Sequence, residues 1–267
     1  VVSASSPRSS LGVSVLNFRR NLNQRWCFYS SYPNHITLSF SDANITAITE
    51  VSPDCKQYVV EVDEETFEGQ AGQHTVLRTP AGVKPYSVLV CDGPRAALMI
   101  RAYGTDGVAD YMNDREVGDT IQIQSKLTGS LTLNPPTRPA VFIGTGTGIT
   151  PLIGLLHRYV TQDGPHAIFM FGEKNRDQLL YKEMLEQYEL IHPVELKLAV
   201  SREDWHGRTG YIQEQLPEVI SNIGTDADFY VCGVPKAVVA AKDKLDELDV
   251  SSADIHTEGW EDAQVAD

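Results

Sequence analysis

Between residues 42 and 134 apolar and polar positions alternate in short runs. They are "ITAITEV" (45–51), "QYVVEVD" (57–63), "HTVLRT" (74–79), "YSVLVC" (86–91), "ALMIRAY" (97–103) and "TIQIQS" (120–125). Period-2 alternation over four to eight residues predicts half-buried strands. Turn signals separate the runs: Ser52-Pro53, Gly69, Ala81-Gly82 and Gly118-Asp119. Short strands at this spacing predict a small antiparallel barrel, with one short helix between 107 and 114. "NPPTRP" (134–139) then interrupts the chain as a proline-rich hinge.

Beyond the hinge the pattern changes. Apolar runs at "AVFIG" (140–144), "HAIFMF" (166–171), "VELKLAV" (194–200) and "DFYVCG" (228–233) alternate with helical spacing over 151–161, 176–189, 212–221 and 235–248. A βαβ series predicts a parallel sheet with helices on both faces. The predicted fold is therefore two-domain, an antiparallel β-barrel followed by a doubly wound α/β sheet. The expected boundaries are 1–41 for an unfolded extension, 42–135 for the barrel and 138–267 for the α/β domain.

The first strand of the second domain runs into "FIGTGTGITP" (142–151). Leu152, Leu155, Leu156 and Tyr159 recur at helical spacing after it. Thr150 is suited to cap that helix and Pro151 to its first position. A strand, a glycine loop and a helix start favour a bound anion, because first-turn amides lack internal partners and glycine lets a phosphate approach the backbone. The spacing is neither GxGxxG nor a P-loop, so an ordinary tight turn is the competing reading. The glycine loop, Ser201-Arg202 and Cys232-Gly233 all fall at predicted carboxyl ends of strands, where parallel sheets bind ligands.

Composition narrows the field. The chain has 267 residues, 42% of them hydrophobic, and a net charge of −14, which argues against a nucleic-acid partner. No apolar run is long enough to span a membrane. Cysteines 27, 55, 91 and 232 form no close cluster, so no metal or iron–sulfur site is expected. Scattered thiols suit a reducing compartment, and the expected location is cytoplasmic. Residues 1–41 hold four arginines, no acidic residue and "SASSPRSS". That composition is transit-like, which would make the location organellar, or else marks a disordered extension. All 36 acidic residues follow it. The acidity of the body reflects either solubility or a high-salt setting.

Six landmarks then occur in order: "KPYSV" (84–88); "GVADYM" (107–112) with "VGDTIQIQ" (117–124) and "LTGSLTL" (127–133); "GTGTGITP" (144–151); "FGEKNRDQLLY" (171–181); "SREDWHGRTGYI" (201–212); and "YVCGVPKAV" (230–238). On this architecture they resemble the ferredoxin–NADP reductase family of flavoenzymes across about 42–260. The resemblance implies FAD, with NADP or NAD as the nicotinamide cofactor and NADPH favoured. It assigns Lys84, Pro85, Tyr86 and Ser87 to the flavin. Lys84 stands where the family usually has arginine. It assigns Gly107, Val108 and Ala109 to the flavin pyrophosphate. Gly144, Thr145, Gly146, Thr147 and Gly148 go to the nicotinamide nucleotide, and Ser201 and Arg202 to the 2′-phosphate of NADP. Arg208 and Tyr211 go to the adenine, and Cys232 with Gly233 to the nicotinamide. Tyr86, Ser87 and Cys232 are the implied catalytic residues. Glu258 and Trp260 are implied to approach the flavin, and Lys174 again replaces a usual arginine. The implied activity is hydride transfer from NAD(P)H to FAD, with electrons passing on to a separate ferredoxin-like carrier, or the reverse. A flavin or quinone reductase, an electron-transfer subunit of a larger complex and a non-enzymatic nucleotide-binding module are the alternatives.

Overall fold

The structure is a computed structural model that describes residues 39–63 and 65–259. Cys27, Trp260 and nearly all of the predicted N-terminal extension lie outside the described residues. The first part is a closed antiparallel barrel of six strands: β1 (Ser41–Ser52), β2 (Cys55–Val62), β3 (His74–Thr79), β4 (Gly82–Asp92), β5 (Arg95–Arg101) and β6 (Thr120–Ile123). They close in the order β1-β2-β5-β4-β3-β6. Closure leaves no sheet edge unpaired. Ala43, Ile45, Tyr58, Val60, Leu77, Leu98, Ile121 and Ile123 fill the interior. Helix α1 (Val108–Asn113) packs Val108, Ala109 and Met112 against the same core. The Tyr58 hydroxyl donates to the Met112 carbonyl at 2.8 Å, which fixes the helix end.

The second part is a six-stranded parallel sheet in the order β10-β9-β8-β7-β11-β12. Its strands are β7 (Ala140–Thr145), β8 (Ala167–Glu173), β9 (Val194–Val200), β10 (Arg208–Thr209), β11 (Asp228–Cys232) and β12 (Ile255–His256). Every residue of β8 is buried, as expected of a strand covered on both faces. Successive side chains feed two cores. Phe142, Phe169 and Phe171 join α2 (Ile149–Thr161) and α3 (Lys182–Ile191) on one face. Val141, Ile143, Ile168 and Met170 join α4 (Leu216–Ile223) and α5 (Pro235–Glu247) on the other.

Three helix starts differ from the sequence reading. A 3-10 turn over Gly146–Gly148 runs straight into α2, so the helix begins at Ile149 and Gly148 occupies the cap. Thr150 is therefore no cap. It is 1% exposed, and its hydroxyl finds no hydrogen-bond partner among the described residues. The helix predicted from 176 begins at 182, because Leu179 and Leu180 turn inward and Tyr181 takes a left-handed φ of 55°. The one predicted from 212 begins at 216, after a 3-10 turn over Ile212–Gln215. Pro217 then falls in its first turn, where its missing N–H costs nothing.

Candidate active site

The parallel register sets the carboxyl ends of β9, β8, β7 and β11 side by side. Cys232 pairs with Gly144, Thr145 with Gly172, and Glu173 with Val200. The glycine loop thus lies directly against Cys232-Gly233. A Cβ at Gly148 would overlap the Cys232 carbonyl and the Gly233 backbone, so this approach demands glycine. Gly146 has φ 58°, a left-handed turn that reverses the chain at the strand end. The Thr145 hydroxyl accepts the Val234 amide at 3.0 Å and ties the two loops together. Cys232 is buried at this junction.

Next along the row, the Ser201 and Arg202 amides donate to the carbonyls of Glu173 and Lys174 at 3.0 and 2.9 Å. Lys174, Ser201 and Arg202 are thereby brought together, and Arg202 is exposed. Glu203, which follows them, is occupied by Arg176, whose amide donates to it and whose Nε lies 3.7 Å away. Arg208 sits farther out, exposed and paired with Glu218 at 2.6 Å. Tyr211 is 63% exposed.

On the barrel side, β4 carries Lys84, Pro85, Tyr86 and Ser87. Lys84 and Pro85 are exposed, and Tyr86 is half-buried. The Tyr86 hydroxyl is buried without a hydrogen-bond partner among the described residues, and burial pushes its pKa well above the usual tyrosine value. Ser87 Oγ donates to Glu258 Oε1 at 3.3 Å, across 171 residues of sequence. β4 then continues toward α2, where Gly154 leaves room for the Leu89 carbonyl.

Several features escaped the sequence reading. Asp110, in the first turn of α1, accepts the amides of Tyr103, Gly104, Thr105 and Gly107 at 3.0, 2.7, 2.8 and 3.4 Å. Those bonds lower its pKa to about 2. The Gly107 amide is thus already engaged. The sequence signal was present as an acidic residue three positions after a helix start. Arg101, at the end of β5, donates to Glu173 at the end of β8 at 2.9 Å and lies 3.3 Å from Asp54. Both Arg101 and Glu173 side chains are more than nine-tenths buried. Burial raises the Glu173 pKa against the pull of Arg101. Arg101 Nη1 also lies 3.6 Å from where a Gly146 Cβ would stand, so this pair underlies the glycine loop. The Tyr181 hydroxyl donates to Gln57, adding a second tie between barrel and sheet. No local pattern marks such pairs, because their partners lie on different domains.

The residues fit a flavin and a nicotinamide nucleotide. The Tyr86 hydroxyl, without a hydrogen-bond partner among the described residues, would suit a polar group of a bound flavin. The glycine-only contact at Gly148 leaves a backbone cradle at a strand's carboxyl end. Among the described residues no helix is long and apolar enough to cross a membrane. A family model described as an oxidoreductase NAD-binding domain matches residues 142–244. The chain is similar to ferredoxin–NADP reductase B of Sorangium cellulosum, 27% identical over 238 residues, covering 82% of this chain and 97% of that one. It is also similar to the anthranilate 1,2-dioxygenase electron transfer component of Acinetobacter baylyi, 27% identical over 201 residues. That match covers 70% of this chain and spans 57% of the relative's length. Its fold matches a ferredoxin–NADP+ reductase from Neisseria gonorrhoeae solved with bound FAD and NADP. The TM-score is 0.73 at 17% identity, over 82% of this chain and 98% of that one. With fold, domain model and relatives in agreement, the chain is an FAD- and NAD(P)-binding oxidoreductase similar to the ferredoxin–NADP reductases.

Proposed function

We propose that the protein takes electrons from NADPH through FAD to a separate one-electron carrier such as a ferredoxin. The observation that carries the choice of NADPH is the meeting of Lys174, Ser201 and Arg202 at the ends of β8 and β9. Two cations and a hydroxyl there suit a 2′-phosphate, and Glu203 is neutralised by Arg176 rather than opposing it. The cradle of Gly144–Gly148 against Cys232-Gly233 would hold the nicotinamide ribose and pyrophosphate. Tyr211 offers an exposed ring for the adenine, while Arg208 is engaged by Glu218. On the barrel, Tyr86 would pack on the flavin, Lys84 would neutralise a flavin phosphate, and Val108 and Ala109 would back the pyrophosphate. The flavin, when bound, supplies the exchange between two-electron and one-electron chemistry. The protein's residues orient the nicotinamide against it and exclude water, with Cys232 buried beside the nicotinamide and Ser87 Oγ donating a hydrogen bond to Glu258.

The test is the visible spectrum of the purified protein before and after anaerobic NADPH. A flavin spectrum that bleaches supports the proposal, and a protein that stays colourless after added FAD overturns it. Arg202→Ala with Lys174→Ala should raise KM for NADPH by about a hundredfold or more while leaving NADH unaffected. That magnitude follows from charge-assisted hydrogen bonds worth about 1.5–3 kcal/mol each.

A further inference from the structure

We infer that Ser130 and His256 are positioning residues that hold the chain's C-terminal strap so that the Glu258 carboxylate stands on Ser87. The inference rests on the flavin reading of Ser87. A carboxylate carried on a loop is held against a distant serine only if the backbone that carries it is fixed. Two separate anchors fix it.

The first anchor is β12. It has two residues and pairs in parallel with β11, Tyr230 opposite His256. The His256 ring stacks on Tyr230 with centroids 4.8 Å apart. Its Nε2 lies 2.9 Å from Asp228 Oδ1. Asp228 is buried and itself held by Arg138 at 3.0 and 2.8 Å and by Asn134 Nδ2 at 2.8 Å. Asn134 belongs to the hinge, and its amide donates to the Tyr230 hydroxyl at 2.9 Å. One cluster thus ties hinge, sheet and strap. Glu258 stands two positions beyond His256, a span of at most about 7 Å, so this anchor confines its position.

The second anchor comes from the barrel side. Ser130 follows the turn at Gly129, and its hydroxyl faces the carbonyls of both Thr257 and Glu258 at 3.3 Å. With His256 holding one end and Ser130 the carbonyls, the Glu258 side chain is left to meet Ser87 Oγ. The arrangement fixes the orientation in advance, which is where alignment contributes to rate.

The experiment is single-turnover reduction of the flavin by NADPH in the full chain carrying Ser130→Ala, His256→Phe, Glu258→Gln and the two double variants with Glu258→Gln. His256→Phe keeps the ring on Tyr230 and removes the bond to Asp228. Ser130 is exposed, so its alanine variant carries the test if His256→Phe fails to fold. Each anchor variant should slow flavin reduction by about tenfold, with KM for NADPH and the flavin spectrum unchanged. Neither should slow it further once Glu258 is glutamine. Anchor effects that multiply with Glu258→Gln, or anchors without effect where Glu258→Gln slows the reaction, would overturn the inference and leave the flavin reading intact. A Glu258→Gln protein with normal rate would overturn it too. A protein that binds no flavin would remove the reading on which it rests.

Discussion

Asp110 concentrates four backbone hydrogen bonds on one exposed carboxylate. Its folded pKa, about 2, lies below the ordinary value near 4, so its stabilisation is complete above the unfolded value and is lost as pH falls through the folded one. Asp110→Asn should lower the melting temperature at neutral pH, and the gap from wild type should shrink as pH falls from about 5 toward 2. Thermal unfolding followed by circular dichroism across that range checks the sign. Gly148 is the other residue on which local geometry hinges. Its φ is an ordinary −62°, so the demand for glycine is one of space alone, set by the Cys232-Gly233 backbone. Gly148→Ala should push the two loops apart and raise KM for NADPH by about tenfold or more, with the flavin spectrum retained. A steady-state titration with NADPH reads this directly.

At the scale of elements, α2 carries both a strength and an imperfection. Its buried face, Leu152, Leu155, Leu156 and Tyr159, packs on Phe142, whose ring stacks 5.2 Å from Tyr230 and meets Tyr159 edge-on at 6.0 Å. Its second residue, Thr150, buries a hydroxyl that has no hydrogen-bond partner among the described residues. Burying an unsatisfied polar group costs about 1–3 kcal/mol, and valine has nearly the same shape. Thr150→Val should therefore leave stability unchanged or raise it by about 1 kcal/mol, as measured by urea denaturation. A clear loss of stability would show that the hydroxyl has a partner in solution.

At the scale of the molecule, barrel and sheet are joined by a buried ion pair. Arg101→Met would strand the Glu173 carboxylate and should cost about 3–5 kcal/mol. Adding Glu173→Leu should recover most of that loss, since an apolar pair of similar volume is often as stable as a buried ion pair. Because the pair lies beneath the glycine loop, the double variant tests whether its charge matters for nucleotide binding as well. An unchanged KM for NADPH would assign it to stability alone.

The sequence by itself determined the alternation that makes the barrel strands, the continuous apolar runs of the parallel sheet and the glycine loop with its strand-end companions. These rest on periodicity and on backbone chemistry confined to a few neighbouring residues. The tertiary structure decided where helices begin, because the inward turn of Leu179-Leu180 and the 3-10 turn at Gly146–Gly148 answer to packing rather than propensity. It likewise decided that Ser87 meets Glu258, that Arg101 meets Glu173 and that Glu203 turns to Arg176. Contacts between residues far apart in the chain depend on how the barrel closes on the sheet, and no local pattern of apolar and polar residues encodes that.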